Sequence, residues 1–260
     1  MNNNTSLSYR KQEPENSVLY VVGTPIGNLN DISPRAINIL RNVSFIACED
    51  TRQTIKLMNK FKIKNNLISF NKYNSTTKIT QIIKELKSGN CIALVSDAGM
   101  PGICDPGENL IKVAKSENVD VICIPGPCAA ITAIVSSGMP SSSFVFEGFL
   151  PKKKREREKL LLEISMREKT TILFEAPHRL IKLLRELQEY CGGEREIQVS
   201  RELTKLFEEN TSANLEKAID IFSNKKIQGE ITLVIKGINK DENLEYNRTY
   251  LKHELKELIK

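Results

Sequence analysis

Residues 91–95, CIALV, form a short uninterrupted apolar run that stops abruptly at SDAGMPGICDPG, residues 96–107. An apolar run this short, ended by glycine and proline, reads as a strand buried on both faces, as in parallel sheets. Helices must then cover both faces, which restricts the chain to α/β architectures. Ligands of open sheets in that class bind beyond the carboxyl ends of the strands, so residues 96–107 become the floor of a candidate site. Gly99, Gly102 and Gly107 permit positive φ and close ligand approach, while Pro101 and Pro106 stiffen the loop. One such loop is equally an ordinary turn. Four more of similar character occur along the chain.

The first is GTPIGN, residues 23–28, which ends the apolar run 18–22 and leads to Ser33 and Pro34, a helix cap and first-turn proline. Neither the Walker pattern nor G-x-G-x-x-G is present there, so no known phosphate-cradling mechanism transfers. The second follows the apolar run 43–48 and places Glu49, Asp50, Thr51 and Arg52 before a helical run to about residue 61. Two readings stay open: Asp50 or Thr51 caps the helix with Arg52 paired to a carboxylate, or the charges form a polar wall of the site. A short strand at 67–70 precedes Lys72 and Tyr73, which with Lys78 have the composition of nucleic-acid contacts or of plain solvated surface. The third loop, PGPCAA at residues 125–130, follows the run 121–124, and its small side chains suit a flat ligand or close helix–sheet packing. Five strands alternating with helices make this half a mostly parallel α/β domain.

The composition of residues 138–143, GMPSSS, is linker-like, and the domain boundary is expected there. The expected organisation is a disordered leader at 1–16, domains at 17–140 and 141–240, and a helical tail at 241–260. In the second half Lys152, Lys153, Lys154, Arg155 and Arg157 crowd one loop and helix start. Positive charge there opposes the helix dipole, which suggests an anionic partner such as RNA, with solubility as the plain alternative. The last loop, EAPHR at residues 175–179, follows a strand at 170–174 and places His178 between Glu175 and Arg179. Further strands are expected at 196–201 and 230–236, in a mixed sheet.

The 260 residues carry a formal net charge of +6, which fits a polyanionic partner without identifying one. Residues 1–17 lack an apolar signal core and no apolar run reaches membrane-spanning length, so a cytoplasmic protein is expected. Six cysteines without a C-x-x-C pair, and two histidines, give no zinc pattern, so free thiols and no metal are expected.

Six blocks occur together and in order: LYVVGTPIGNLNDISPRAI, ACEDTR, LVSDAGMPGICDPG, IPGPCAA, FEGFLPKKKRER and ILFEAPHR. Through them the chain closely resembles the ribosomal RNA small subunit methyltransferase I family over roughly residues 17–240. The resemblance implies a two-domain α/β tetrapyrrole-methylase-like fold, a class III S-adenosylmethionine-dependent methyltransferase that holds its cofactor in an interdomain cleft, often as a homodimer. It implies methylation of the ribose 2′-hydroxyl of a cytidine in the decoding region of small-subunit (16S) ribosomal RNA, on an assembled or nearly assembled particle. Carried over block by block, Pro25, Ile26, Asp97, Gly99, Met100, Ile103, Cys128 and Ala129 are expected at the cofactor, with Glu175, Ala176, Pro177, Gly229 and Glu230 closing its second-domain side. Relatives often have serine or threonine in place of Cys128, and longer members carry an extra C-terminal helical module where about 20 residues follow position 240 here, so no substrate contacts from that module are carried over.

Methyl transfer from a sulfonium needs alignment, a desolvated cleft and an acceptor for the hydroxyl proton. The nominated acceptors are Glu49, Asp50 and His178; Arg52, Arg179 and the basic run at 152–157 are the expected RNA contacts. Two rivals remain: a methyltransferase of the same fold acting on a porphyrinoid or protein, and a non-enzymatic ribosome-assembly RNA-binding protein.

Overall fold

The computed structural model describes residues 13–71 and 75–238, and these divide into two compact units that meet in sequence between Cys128 and Ala129. Residues 1–12, Lys72, Tyr73 and the tail expected at 241–260 lie outside the described residues.

The first unit alternates strand and helix: β1 (Val18–Val22), α1 (Pro34–Asn42), β2 (Phe45–Cys48), α2 (Thr51–Lys60), β3 (Leu67–Ser69), α3 (Ser75–Lys87), β4 (Ile92–Val95), α4 (Glu108–Ser116) and β5 (Asp120–Ile124). All pairings are parallel, in the order β3-β2-β4-β1-β5. The central strands β1 and β4 are buried along their whole length because both faces are covered. Val18, Tyr20, Val22, Ala93 and Val95 pack under Ile39, Leu40, Leu57 and Met58 of α1 and α2. Leu19, Ile92 and Leu94 point the other way, toward Ile82, Leu86, Leu110 and Ala114 of α3 and α4. The alternation follows from the two-residue period of a strand, and each fully buried Leu or Ile contributes about 1.5–3 kcal/mol. Helix α1 begins as its sequence requires: Ser33 Oγ accepts the Ala36 N–H at 3.0 Å, and Pro34 occupies the first turn, where its missing N–H costs nothing.

Parallel strands empty their loops at one edge. Val22 lies opposite Ile124, Cys48 opposite Val95 and Val21 opposite Leu94, so the loops after β1, β2, β4 and β5 all leave the same side of the sheet. The helices after β1 and β4 lie on opposite faces, and this reversal opens a crevice between those two strands.

The second unit comprises α5 (Ala129–Ser137), β6 (Phe144–Phe149), α6 (Lys154–Ser165), β7 (Thr170–Glu175), α7 (Leu180–Cys191), β8 (Glu196–Arg201), β9 (Glu209–Asn214), α8 (Leu215–Ser223) and β10 (Ile231–Ile235). Its sheet runs β6-β7-β10-β8-β9, with only β6 and β7 parallel. Leucines 161, 180, 183, 184, 187 and 215 and Phe222 from α6, α7 and α8 cover one face. The opposite face receives α5, whose Ala133 carbonyl and Ser136 hydroxyl accept from Gln198 Nε2 of β8 at 3.4 and 3.1 Å.

That packing moves the boundary from the expected residue 140 to residue 128. Helix α5 belongs by its packing to the second sheet, and Gly138, at φ +66°, directly follows it. Strand β9 and helix α8 had no counterpart among the expected elements. The β9 sequence ENTSAN has no apolar alternation, and six register pairs to β8 make it a strand.

Candidate active site

At the carboxyl edge of the first sheet the loops interlock. Thr24 N–H donates to Gly99 O at 2.9 Å and Gly99 N–H to Thr24 O at 3.1 Å, which bridges the loops after β1 and β4. Gly23 and Gly126 bring the loops after β1 and β5 into backbone contact: a Cβ on Gly23 would lie 2.7 Å from Gly126 Cα and 2.6 Å from Met100 Sδ. Neither position admits a side chain unless the loops part. Gly99 has φ +77°, and a Cβ there would stand 3.4 Å from Ile26 Cγ2 and 3.6 Å from Pro127 O. Pro25 and Ile26 are buried, Met100 and Cys128 half-buried, and Ile103 is exposed.

Asp97 joins this floor to the loop after β2. Its Oδ1 accepts the Asp50 N–H at 3.0 Å. Although the residue is exposed overall, partial loss of water raises the carboxyl above the usual aspartate range; the Asp50 N–H opposes the shift and the Asp50 charge adds to it. Asp50 goes the other way, down to about 2, because the Arg52 side chain and backbone N–H both hydrogen-bond its carboxylate. Its Oδ1 accepts the Arg52 N–H at 2.9 Å as the cap of α2, and its Oδ2 accepts from Arg52 Nη2 at 2.6 Å. Of the two readings left open for this loop, the geometry is that of the cap and ion pair. Arg52 nevertheless keeps most of its guanidinium in solvent. Glu49 is half-buried beside it.

In the second unit β7 ends at Glu175, whose side chain is 1% exposed. Its Oε1 accepts the Ala176 N–H at 2.8 Å and the Arg179 fork at 2.7 and 2.6 Å. Among the described residues Oε2 has no hydrogen-bond partner, and it faces Arg157 Nη2 at 3.9 Å. The Glu175 carboxylate, expected at the cofactor, is thus turned into the protein. Ala176 and Pro177 are half-buried and His178 is exposed, in a single 3₁₀ turn that leads into α7.

Arg157, expected among the RNA contacts, is placed differently from its basic neighbours. Its side chain is only 12% exposed and is held by Glu186 at 2.6 Å. Position 157 stands three, four and seven residues before Leu160, Leu161 and Ile164, so helical geometry turns it to the core face. Lys152, Lys153, Lys154 and Arg155 remain exposed where α6 begins. Gly229, at φ +88°, and Glu230 lie against Glu202: Glu230 N–H donates to Glu202 Oε1 at 2.9 Å, and Lys205 Nζ joins both carboxylates at 2.8 Å. Sequence reasoning missed Glu202 and Lys205, though their three-residue spacing was visible. Ala129 opens α5, half-buried.

The first unit's glycine floor, flanking carboxylate and apolar Ile26 and Met100 suit a ligand that is part flat, part aliphatic and part cationic. Comparison with known proteins specifies the class. A family model for Tetrapyrrole (Corrin/Porphyrin) Methylases matches residues 18–219, which makes this chain a methyltransferase of that class. The solved structure of a cobalt precorrin-4 methyltransferase aligns with a TM-score of 0.65 at 14% identity, over 85% of this chain and 95% of that one. A uroporphyrin-III C-methyltransferase from Thermus thermophilus, complexed with S-adenyl homocysteine, aligns with a TM-score of 0.58 at 12% identity, over 84% and 96%.

Nearer in sequence are two proteins named ribosomal RNA small subunit methyltransferase I. That of a Synechocystis species is 44% identical over 93% of this chain and 87% of its own, and that of Thermotoga maritima 47% identical over 84% and 98%. The chain belongs to the ribosomal RNA small subunit methyltransferase I family.

Proposed function

We propose that this protein methylates the ribose 2′-hydroxyl of a cytidine in the decoding region of small-subunit ribosomal RNA, as a cytoplasmic homodimer acting on an assembled or nearly assembled subunit. Methyl transfer from S-adenosylmethionine to ribosomal RNA follows from membership of the family. The ribose oxygen, the cytidine and the dimer rest on the six-block resemblance, and the compartment on the ribosomal substrate. Among the described residues no helix is long and apolar enough to cross a membrane.

The observation that carries the cofactor assignment is the interlocked floor. A Cβ would fill the space above Gly99, and an ionisable carboxylate, Asp97, stands beside it. Asp97 suits the ammonium or sulfonium end of S-adenosylmethionine, and Pro25, Ile26, Gly99, Met100, Ile103 and Cys128 its apolar and planar parts. When bound, the cofactor supplies a methyl group on a sulfonium that becomes neutral as the methyl leaves.

The chain must do the rest. Alignment of the reactants falls to these loops, which Thr24 and Gly99 tie by two backbone hydrogen bonds and Gly23 and Gly126 hold in backbone contact. A ribose hydroxyl surrenders its proton as the new C–O bond forms, and a positioned base lowers that barrier. Asp50, held near 2 by Arg52, is poorly suited to accept it, which leaves Glu49 and His178. Arg52, Arg179, Lys152, Lys153, Lys154 and Arg155 offer cations for phosphate.

The test uses the purified protein, radiolabelled S-adenosylmethionine and small subunits from a strain deleted for the gene. A 2′-O-methyl blocks alkaline cleavage at the modified nucleotide, so label in an alkali-resistant dinucleotide containing cytidine is the expected result. Label recovered only in mononucleotides would place the methyl on a base and refute the ribose assignment.

A further inference from the structure

The connection from β8 to β9 is rigid at its base and apolar at its tip. Glu202 and Thr204 hold positive φ of +53° and +66°, which costs free energy for side chains with a Cβ, most of all for β-branched threonine. The strain is held by bonds on every side. Glu202 N–H donates to Glu230 O at 2.9 Å, Thr204 N–H to Glu208 Oε2 at 2.8 Å and Glu208 N–H to Lys205 O at 3.1 Å, with Lys205 Nζ across Glu202 and Glu230. Leu203 anchors the loop in the core. The two residues so presented are Leu206 and Phe207, 90% and 69% exposed.

A fixed loop that holds an aromatic side chain in water is built for contact. Phe207 borders an open cleft of about 430 Å³, within the roughly 300–1,000 Å³ typical of ligand sites. The rest of its lining includes Phe222, Arg201, Lys225, Lys226 and Glu209. Glu209 pairs with Arg201 at 3.1 Å and Lys225 at 2.7 Å, so one carboxylate faces two cations. Lys226 has no carboxylate partner among the described residues, and the lining keeps excess positive charge. An aromatic face beside cations is the chemistry that takes up single-stranded nucleic acid: the base stacks and the phosphate pairs.

We propose that this cleft holds one unpaired nucleotide of the RNA substrate, its base stacked on Phe207 and its phosphate at Lys226 and Arg201. The assignment rests on the RNA substrate stated above and adds a second place where the chain grips it. A second copy of the chain is the competing occupant of the Leu206–Phe207 tip, but the cationic lining favours a polyanion.

Full-length protein is titrated against a short fluorescein-labelled oligoribocytidylate across a salt series. Phe207→Ala should weaken binding about tenfold, the reduction expected for one base–aromatic stack, and Phe207→Tyr should restore it. Lys226→Ala should flatten the slope of log affinity against log salt by about 0.7, the share of one phosphate on a single strand. Wild-type affinity in Phe207→Ala overturns the proposal, and so does a fall in sedimenting mass for that variant at unchanged oligonucleotide affinity, since the tip would then be a subunit contact. Methylation of small subunits by the wild type is measured alongside. Its failure would refute the reaction, while the oligonucleotide arms would still decide the cleft.

Discussion

Replacing Glu175 by glutamine separates a carboxylate that holds the fold from one that holds a ligand. The wild-type Oε1 accepts three N–H groups, two of them from the Arg179 guanidinium, while Oε2 faces Arg157 at 3.9 Å with no hydrogen-bond partner among the described residues. A glutamine oxygen can retain the three bonds, but as a neutral acceptor it keeps only about half the strength of each charge-assisted one. Its NH₂ group then points at Arg157, a donor set against a cation. Breaking a buried pair outright costs about 3–5 kcal/mol, and hydrogen bonds to charged groups contribute about 1.5–3 kcal/mol each. Arg179 is partly exposed and recovers some solvation, so a destabilisation of about 2–4 kcal/mol is expected. At about 2–4 °C per kcal/mol for a chain of this size, the Tm should fall by roughly 5–15 °C in a thermal melt. Calorimetric titration of the folded variant at low temperature should give nearly wild-type affinity for S-adenosylmethionine. A variant that melts like the wild type but binds the cofactor weakly would refute this account and return Glu175 to the ligand.

Three further outcomes are expected. Asp97→Asn should weaken S-adenosylmethionine binding while slightly stabilising the fold at neutral pH: the raised pKa means that folding disfavours the ionised form, and the penalty is fully present above the folded value. By the same sign, cofactor binding to the wild type should fade on acidification at a higher pH than an ordinary aspartate would give, and a binding profile flat through that range would remove Asp97 from the site. Either Glu49→Gln or His178→Ala should lower single-turnover methylation by about 10²–10⁴-fold at unchanged cofactor affinity and Tm, whereas Asp50→Asn should change rate and Tm little, because asparagine caps α2 as well as aspartate does and the Arg52 pair it loses is solvent-exposed; Glu49 and His178 mutants that melt early but methylate normally would leave these loops structural. Alanine at Lys152, Lys153, Lys154 and Arg155 should flatten the salt dependence of RNA binding by about 0.7–0.9 for each phosphate that is no longer neutralised, while Arg157→Ala should lower Tm and leave the slope alone.

The sequence by itself determined the first unit almost completely. The apolar runs at 18–22 and 91–95 are buried on both faces wherever they pack, and a strand of that kind requires parallel neighbours and covering helices, so sheet, cover and loop-bearing edge followed from local pattern. The glycine at 99 was legible as a site of close approach, though only the tertiary structure showed that Gly23 and Gly126 approach each other. The second unit was less legible because its information is non-local. Strand β9 exists through its pairing with β8, and α5 joins the second sheet through a glutamine 65 residues away. Charged side chains were the least determined of all. One basic run contains four exposed residues and the largely buried Arg157, and the EAPHR turn combines an exposed His178 with a Glu175 closed off from solvent. Composition sets the charge such residues carry, but helix phase and the position of the partner carboxylate decide whether it faces water, a ligand or the core.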